Sequence, residues 1–298
     1  MDKWEDVRPT IKNQRFHGFQ KLSLLSLADD STLLRHHAAS ALYRAAGVPV
    51  LRGTLVDFRL AHGSDTIDMG VYALREAVDE PFLGRWFSAK TGNWYEPSSI
   101  LSNYVAAEFT EGDNDGTRTD VQTFFGALND SRRTTDPVAW RAGLRSAFDV
   151  AGFLKWLAVS SALVDRGSYG YKAENYGLYA DQGKLNWVAL NADETFPTGN
   201  GIYRSVWHTD AATSWPLITK VLSDSAFCVE YVANTRSLVV PDGPLAPSNL
   251  EASLRVSGQI LTGLRDAEAR IQRLLGFVQA RAGVVDTSLT AHPCPWKG

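Results

Sequence analysis

Glu174-Asn175-Tyr176-Gly177-Leu178-Tyr179, the turn Asp181-Gln182-Gly183-Lys184 and the run Leu185 to Leu190 decide how this chain is read. Two apolar and aromatic segments flanking a polar turn predict an antiparallel hairpin centred near Gln182-Gly183. Opposed residues then have numbers summing to about 365, which sets Asn175 opposite Leu190. Asn191 and Asp193 emerge at the same open end. An amide oxygen and a carboxylate from adjacent strand ends can share Mg²⁺, a hard cation that takes oxygen ligands and bridges phosphate oxygens. Asp165 lies ten residues before Asn175, where a loop leaves the preceding helix. Asn and Asp at strand ends also form turns and cap helices, because their side chains bond nearby backbone. Spacing alone leaves both readings open.

Upstream, a helix from about Asp149 to Val164 is expected to bury Phe153, Leu154, Leu157 and Ala158. Residues 15 to 27 hold a strand-like stretch that ends at Asp29-Asp30-Ser31. Asp30 or Ser31 can cap a helix running from Ser31 to Ala46, with Leu33, Leu34, Ala38, Ala41, Leu42 and Ala45 on one face. Gly47 and Pro49 stop it. Leu55, Phe58 and Leu60 before His62-Gly63-Ser64-Asp65, with Ile67, Met69, Val71, Tyr72 and Leu74 beyond, predict a second hairpin. Residues 111 to 137 are rich in Asp, Asn, Gly, Arg and Thr and read as a mobile insertion. Residues from about Leu250 to Arg281 read as helix, punctuated only by Gly258 and Gly263. A β-rich first third and a helix-rich remainder make an α+β fold. The expected division is a small β-rich lobe over residues 1–98 and a mainly helical lobe over 99–298 that carries hairpin 175–193.

At 298 residues, with 44% apolar and 21% charged residues, the chain has the composition of an ordinary globular protein with a sizeable core. A net charge of −3 from 30 basic and 33 acidic residues makes no field that gathers nucleic acid or anionic lipid, so neither is an expected partner. Cys228 and Cys294 are far apart and lack CxxC spacing, which supports neither a disulfide framework nor a cysteine-rich zinc site. The opening Met1-Asp2-Lys3-Trp4-Glu5 is no apolar leader, and no run approaches a membrane span. A cytoplasmic enzyme is the default expectation.

The residues resemble the CotH spore-coat kinases, and five stretches carry the likeness in the family's order. They are Arg15-Phe16-His17-Gly18-Phe19 through Lys21-Leu22; Asp30-Ser31-Thr32-Leu33-Leu34-Arg35 leading to Ala46-Gly47-Val48-Pro49; Met69 to Asp79 with Phe82-Leu83; Gly92-Asn93-Trp94-Tyr95; and Glu174 to Tyr179 followed by Trp187 to Phe196. Together they span about residues 8 to 200. The resemblance implies a two-lobed, atypical protein-kinase-like fold with an ATP and Mg²⁺ site between the lobes. It also implies phosphotransfer to Ser or Thr of proteins such as spore-coat components.

Carried over by position, Asn175 matches the Asn after the catalytic loop. The family's Trp-Asp-x-Asp motif falls on Leu190-Asn191-Ala192-Asp193, so Asn191 stands where the first metal carboxylate would, and Asp193 is the second. An alignment without gaps puts Gly167 in the catalytic-Asp position, and two extra residues put Asp165 there. The phosphate-gripping lysine falls near Arg8-Pro9-Thr10, with Arg8 the nearest basic group and Lys12 the nearest lysine. The family's preceding Arg-Gly strand would lie upstream of Met1, which leaves open whether the small lobe is truncated at its N-terminus or native there. Glu76-Ala77-Val78-Asp79 ends a strand where kinase-like proteins hinge, so backbone there is a candidate for adenine; a helix-capping role for Asp79 stands beside it.

Other residues carry weaker signals. His36 and His37 are adjacent, point about a hundred degrees apart on a helix, and cannot easily share an ion. Ser160-Ser161 and His208 lack a G-x-S-x-G elbow, and no P-loop motif occurs. Three readings remain. The chain is a CotH-like ATP-dependent kinase acting on a protein or peptide hydroxyl, a kinase-like fold that adenylylates or glutamylates, or a pseudokinase serving as a binding or assembly module. Loss of a metal carboxylate at Asn191 favours the last, since phosphoryl transfer rests on positioning and charge stabilisation.

Overall fold

The computed structural model describes residues 2–4, 15, 17–19, 21–111, 116–209, 215–261, 266–291 and 294–295. Arg8, Lys12 and Phe16 lie outside them. Four strands, β1 (Asp2–Trp4), β2 (Leu22–Ser26), β3 (Gly53–His62) and β4 (Asp65–Glu76), form an antiparallel sheet in the order β1-β2-β4-β3. β3 and β4 make the expected hairpin, with His62 opposite Asp65. Helix α1 (Arg35–Ala45) packs Leu42 and Tyr43 into the core beside Leu55 and Ala73 of the sheet.

The helix starts later than the sequence suggests. Asp30 spends one carboxylate oxygen on the Thr32 amide (2.8 Å) and hydroxyl (2.7 Å) and the other on the Arg35 amide (2.7 Å). It therefore folds a turn ahead of the first helical residue and still serves the helix start. Gly47, at φ 75°, ends it as expected.

After β4, Asp79 caps α2 (Glu80–Trp86) by accepting from the Phe82 amide at 3.2 Å. A second antiparallel sheet has the order β6-β5-β7-β8, with β5 (Trp94–Pro97), β6 (Phe109–Glu111), β7 (Tyr176–Asp181) and β8 (Lys184–Ala189). The hairpin register is the one read from sequence: Tyr176 faces Ala189 and Asp181 faces Lys184. Gln182 and Gly183 take φ of 53° and 81°, the paired positive values that match a tight turn to strand twist. A Cβ at Gly177 would lie 2.0 Å from the Trp94 ring, so β5 and β7 approach closely only because this residue is glycine.

Six further helices, α3 (Thr119–Leu128), α4 (Arg132–Thr135), α5 (Pro137–Ala147), α6 (Val150–Leu163), α7 (Pro216–Leu222) and α8 (Ser225–Val239), precede α9 (Pro247–Ser257) and α10 (Ala267–Ala291). α6 is buried along most of its length, and its Phe153 and Trp156 meet Trp187 at 5.0 and 4.6 Å. Trp187 in turn stacks on Tyr176 at 4.4 Å and 6°. This aromatic layer ties the hairpin to the central helix.

Two expectations need correction. The described part of the stretch read as a mobile insertion, 116–137, carries a packed helix: Val121, Phe124, Phe125 and Leu128 of α3 are all buried. Their helical spacing outweighs the polar residues around them. The two cysteines are bonded to each other, with Cα atoms 5.9 Å apart, because α10 packs on α8 and returns Cys294 to Cys228. The stretch from Leu250 to Arg281 is divided between α9, whose C-terminal cap is Gly258, and α10. Among the described residues, no helix is long and apolar enough to cross a membrane.

Candidate functional site

The two sheets meet at the open end of the central hairpin. Val50 bridges Ala189, whose amide donates to the Pro49 carbonyl at 2.9 Å. One residue on, the Leu190 amide donates to the Asn175 carbonyl at 3.1 Å, and Arg75 of β4 donates to the Leu190 carbonyl at 3.0 Å. The start of β7, the exit of β8 and the end of β4 therefore converge. Asn175, at φ 59°, turns its side-chain amide onto the Gly167 carbonyl at 2.7 Å. Asn191 donates to Asp193 Oδ1 at 2.9 Å and accepts from the Ala192 amide at 3.0 Å.

The loop after α6 closes the group from below. Val164 takes a left-handed conformation at φ 53°, and the Asp165 amide then bonds Ser160 O at 2.9 Å. The Asp165 carboxylate accepts from the Gly167 amide at 3.2 Å and from the Tyr43 hydroxyl at 3.0 Å. Asp165 is 1% exposed. Burial pushes its carboxyl up to about 7, against the two hydrogen bonds, and the nearby charges of Asp193 and Glu194 push the same way. Burial, with Asp165 next to it, drives the Tyr43 phenol well above its ordinary range. A carboxyl that ionises near neutrality is suited to general-base work.

The sequence candidates thus fall into three groups. Asp165, Gly167 and Asn175 are linked by the hydrogen bonds above, and Asn191 and Asp193, bonded to each other, follow directly on Leu190, whose amide donates to the Asn175 carbonyl. Glu76 is separate: its buried carboxylate accepts from the Arg52 amide at 2.6 Å and pairs with the Arg52 and Arg85 side chains. Arg8 and Lys12 belong to the undescribed residues.

Several partners were not legible as site residues. Tyr43 reads as a core aromatic on a helix face. Glu194 receives Lys172 as an ion-pair partner, and its carbonyl accepts from the Arg166 amide at 3.1 Å. His36 of α1 is buried beside Asn191 and held neutral, lowered to about 3 by burial and by the Arg75 charge. Arg75 left one sequence signal, an Arg-Glu pair closing an otherwise apolar strand. Elsewhere, Ser161 Oγ and His208 Nε2 share a buried hydrogen bond at 2.8 Å that no sequence motif announced.

Asp193 Oδ1 is occupied by Asn191, which leaves Oδ2, and the Asn175 side chain donates through nitrogen, which leaves its oxygen. Those are hard oxygen donors, the kind Mg²⁺ takes. Among the described residues no group of three or more His, Cys, Asp or Glu could hold a metal, so this pair would be a partial shell that phosphate oxygens and water complete.

No curated protein matches the chain. A chain of the Shewanella oneidensis MR-1 toxin–antitoxin HipA, HipB and operator DNA complex superposes with a TM-score of 0.46 at 12% identity, over 90% of this chain and 59% of that one. This chain thus spans little more than half of that relative's length. The Helicobacter pylori proinflammatory kinase CtkA superposes with a TM-score of 0.39 at 9% identity, over 91% of this chain and 89% of the other. The family model for CotH kinase protein matches residues 2–273. With that match over nearly its whole length, the chain belongs to the CotH kinase family.

Proposed function

We propose that this protein is an ATP-dependent transferase that phosphorylates a hydroxyl of a protein or peptide, with Asp165 as the base. One observation carries the reading. The Asp165 carboxylate, the Gly167 peptide and the Asn175 amide form a continuous hydrogen-bonded series, and Asp193 leaves the neighbouring strand at the same point. Asp165 would take the proton of the acceptor hydroxyl, which requires direct or one-water reach to it. Its burial means that the loop around Gly167, against which the Glu194 and Asn175 side chains pack, must admit the acceptor. Asn175 and Asp193 would hold Mg²⁺, which would supply charge neutralisation to the phosphate oxygens. The backbone around Glu76 to Asp79 would receive the adenine, since the Glu76 carboxylate is already engaged. Arg8 or Lys12 would grip phosphate. The lobes of this proposal are residues 1–98 and 99–298, with β5 as the strand on their border.

A second reading, a pseudokinase that binds nucleotide or assembles with other proteins, draws on the amide at Asn191 and the enclosed position of Asp165. Incubation with Mg²⁺ and γ-labelled or α-labelled ATP separates the alternatives. Transfer of γ-label supports a kinase, and transfer of α-label supports adenylylation. Absence of both, with nucleotide binding intact, supports the pseudokinase, or glutamylation if labelled glutamate is transferred instead. As to location, the Cys228–Cys294 bond weighs against the cytoplasm, where thiols are kept reduced, and favours an oxidising compartment.

A further inference from the structure

β3 is the outer strand of the first sheet: among the described residues, only β4 pairs with it. An outer strand presents a row of peptide groups open to pairing, and proteins commonly blunt such an edge with proline, lysine or a bulge. β3 contains neither proline nor lysine. The irregularity of its hairpin falls on the inner strand. Phe58 faces Gly70 and Arg59 faces Asp68, so Met69 is the extra residue and β3 stays regular. Leu55 is the last buried residue of β3, and the hairpin beyond it stands out from the core. There Leu60 and Ile67 face each other at 46% and 52% exposure.

The charges on this edge are self-complementary. Asp57 and Arg59 lie on one face of β3, both exposed, with their side chains 3.0 Å apart. A second copy that adds antiparallel across a two-fold axis must present the same face on the same side, so opposed residues have numbers with an even sum. An axis centred on Asp57 or on Arg59 sets like charges against each other. One centred on Val56 or Leu60 leaves both charges without an opposite. Centred on Phe58, it sets Asp57 opposite Arg59 of the second copy and Arg59 opposite its Asp57, while Val56 meets Leu60. The same register brings Ala61 and His62 of the second copy to Leu55 and Thr54, which border an open cavity of about 720 Å³. The incoming turn therefore has space. α1 packs at the Leu55 end of β3, so antiparallel addition sets the two copies of this helix at opposite ends of the pairing.

We propose that the protein forms a two-fold dimer through β3, centred on Phe58, which joins two four-stranded sheets into one. The proposal is independent of the phosphotransfer reading. Sedimentation velocity of the intact chain, up to about 1 mM, should show a concentration-dependent dimer. Asp57→Arg and Arg59→Asp should each weaken association about tenfold or more, because each places two like-charge pairs across the axis. Mixing the two variants should restore a dimer, since a wholly cationic edge then meets a wholly anionic one. As a check on register, Phe58→Cys should cross-link to its own copy on mild oxidation, whereas Thr54→Cys, far from its counterpart, should not. A wild type that stays monomeric throughout, reversals that dimerise as the wild type does, or a mixture that stays monomeric overturns the proposal. Should a reversal fail to fold, the cysteine pair decides: equal cross-linking at both positions, or none at Phe58→Cys, overturns it.

Discussion

Replacing Asp165 by asparagine tests stability and function through one group. In the unfolded chain this aspartate titrates near its ordinary 3.8, whereas in the fold it titrates at about 7. Below pH 3.8 both states hold the proton and the group is neutral in its effect. Between the two values the folded state keeps a proton that the unfolded state has released, so stability falls as pH rises. Above pH 7 both are ionised and the full penalty remains. Asparagine mimics the protonated carboxyl and never carries the charge. Asp165→Asn should therefore gain on the wild type by about 2 kcal/mol at pH 5 and on the order of 4 kcal/mol above pH 7. Urea unfolding at pH 4, 5, 6, 7 and 8 measures the gap. A gap that does not widen between pH 5 and 8 would refute the assignment, whatever the absolute stability. The same variant, in an active kinase, should lose turnover by orders of magnitude while keeping nucleotide-induced thermal stabilisation. Wild-type turnover should rise as pH passes through about 7. A more stable yet inactive variant would mean that the fold tolerates an ill-placed charge because function needs it.

Three further tests address the scaffold. Arg281 is fully buried and donates to the carbonyls of Ser161, Ala162, Ile202 and Arg204. Arg281→Met strands two acceptors at the end of α6 and two at Ile202 and Arg204 and should cost about 3–5 kcal/mol in urea unfolding; a loss below ~1 kcal/mol would show that water replaces the guanidinium. Reducing the Cys228–Cys294 bond, which closes a separation of 66 residues, should lower unfolding stability by up to roughly 4 kcal/mol, and an unchanged thermal midpoint in dithiothreitol would count against the bond in solution. Gly177→Ala places its methyl inside the Trp94 ring and should cost about 1–3 kcal/mol or more, while Gly177→Ala/Trp94→Leu should recover part of that loss.

Local pattern was enough for the hairpins, because strand alternation and turn chemistry act over a few residues. Tyr176 opposite Ala189 follows from the Gln182-Gly183 turn alone. The α+β order and the helical segments around Phe153 and Leu157 were legible for the same reason, as was the likeness at Asn175 and Asp193. The stretch 111–137 misled because its polar residues are local, whereas the reason α3 is ordered is a core supplied by distant elements. The Cys228–Cys294 bond was likewise invisible, since sequence separation says nothing of how α10 returns to α8. The site divides in the same way. Chain spacing brought Asn175, Asn191 and Asp193 to one strand end. Only the packing of α1 and β4 onto that end supplied Tyr43 for Asp165 and Arg75 for the Leu190 carbonyl. Burial then did what no residue list can express, raising Asp165 and holding His36 neutral, because desolvation belongs to the assembled fold and not to the order of residues along the chain.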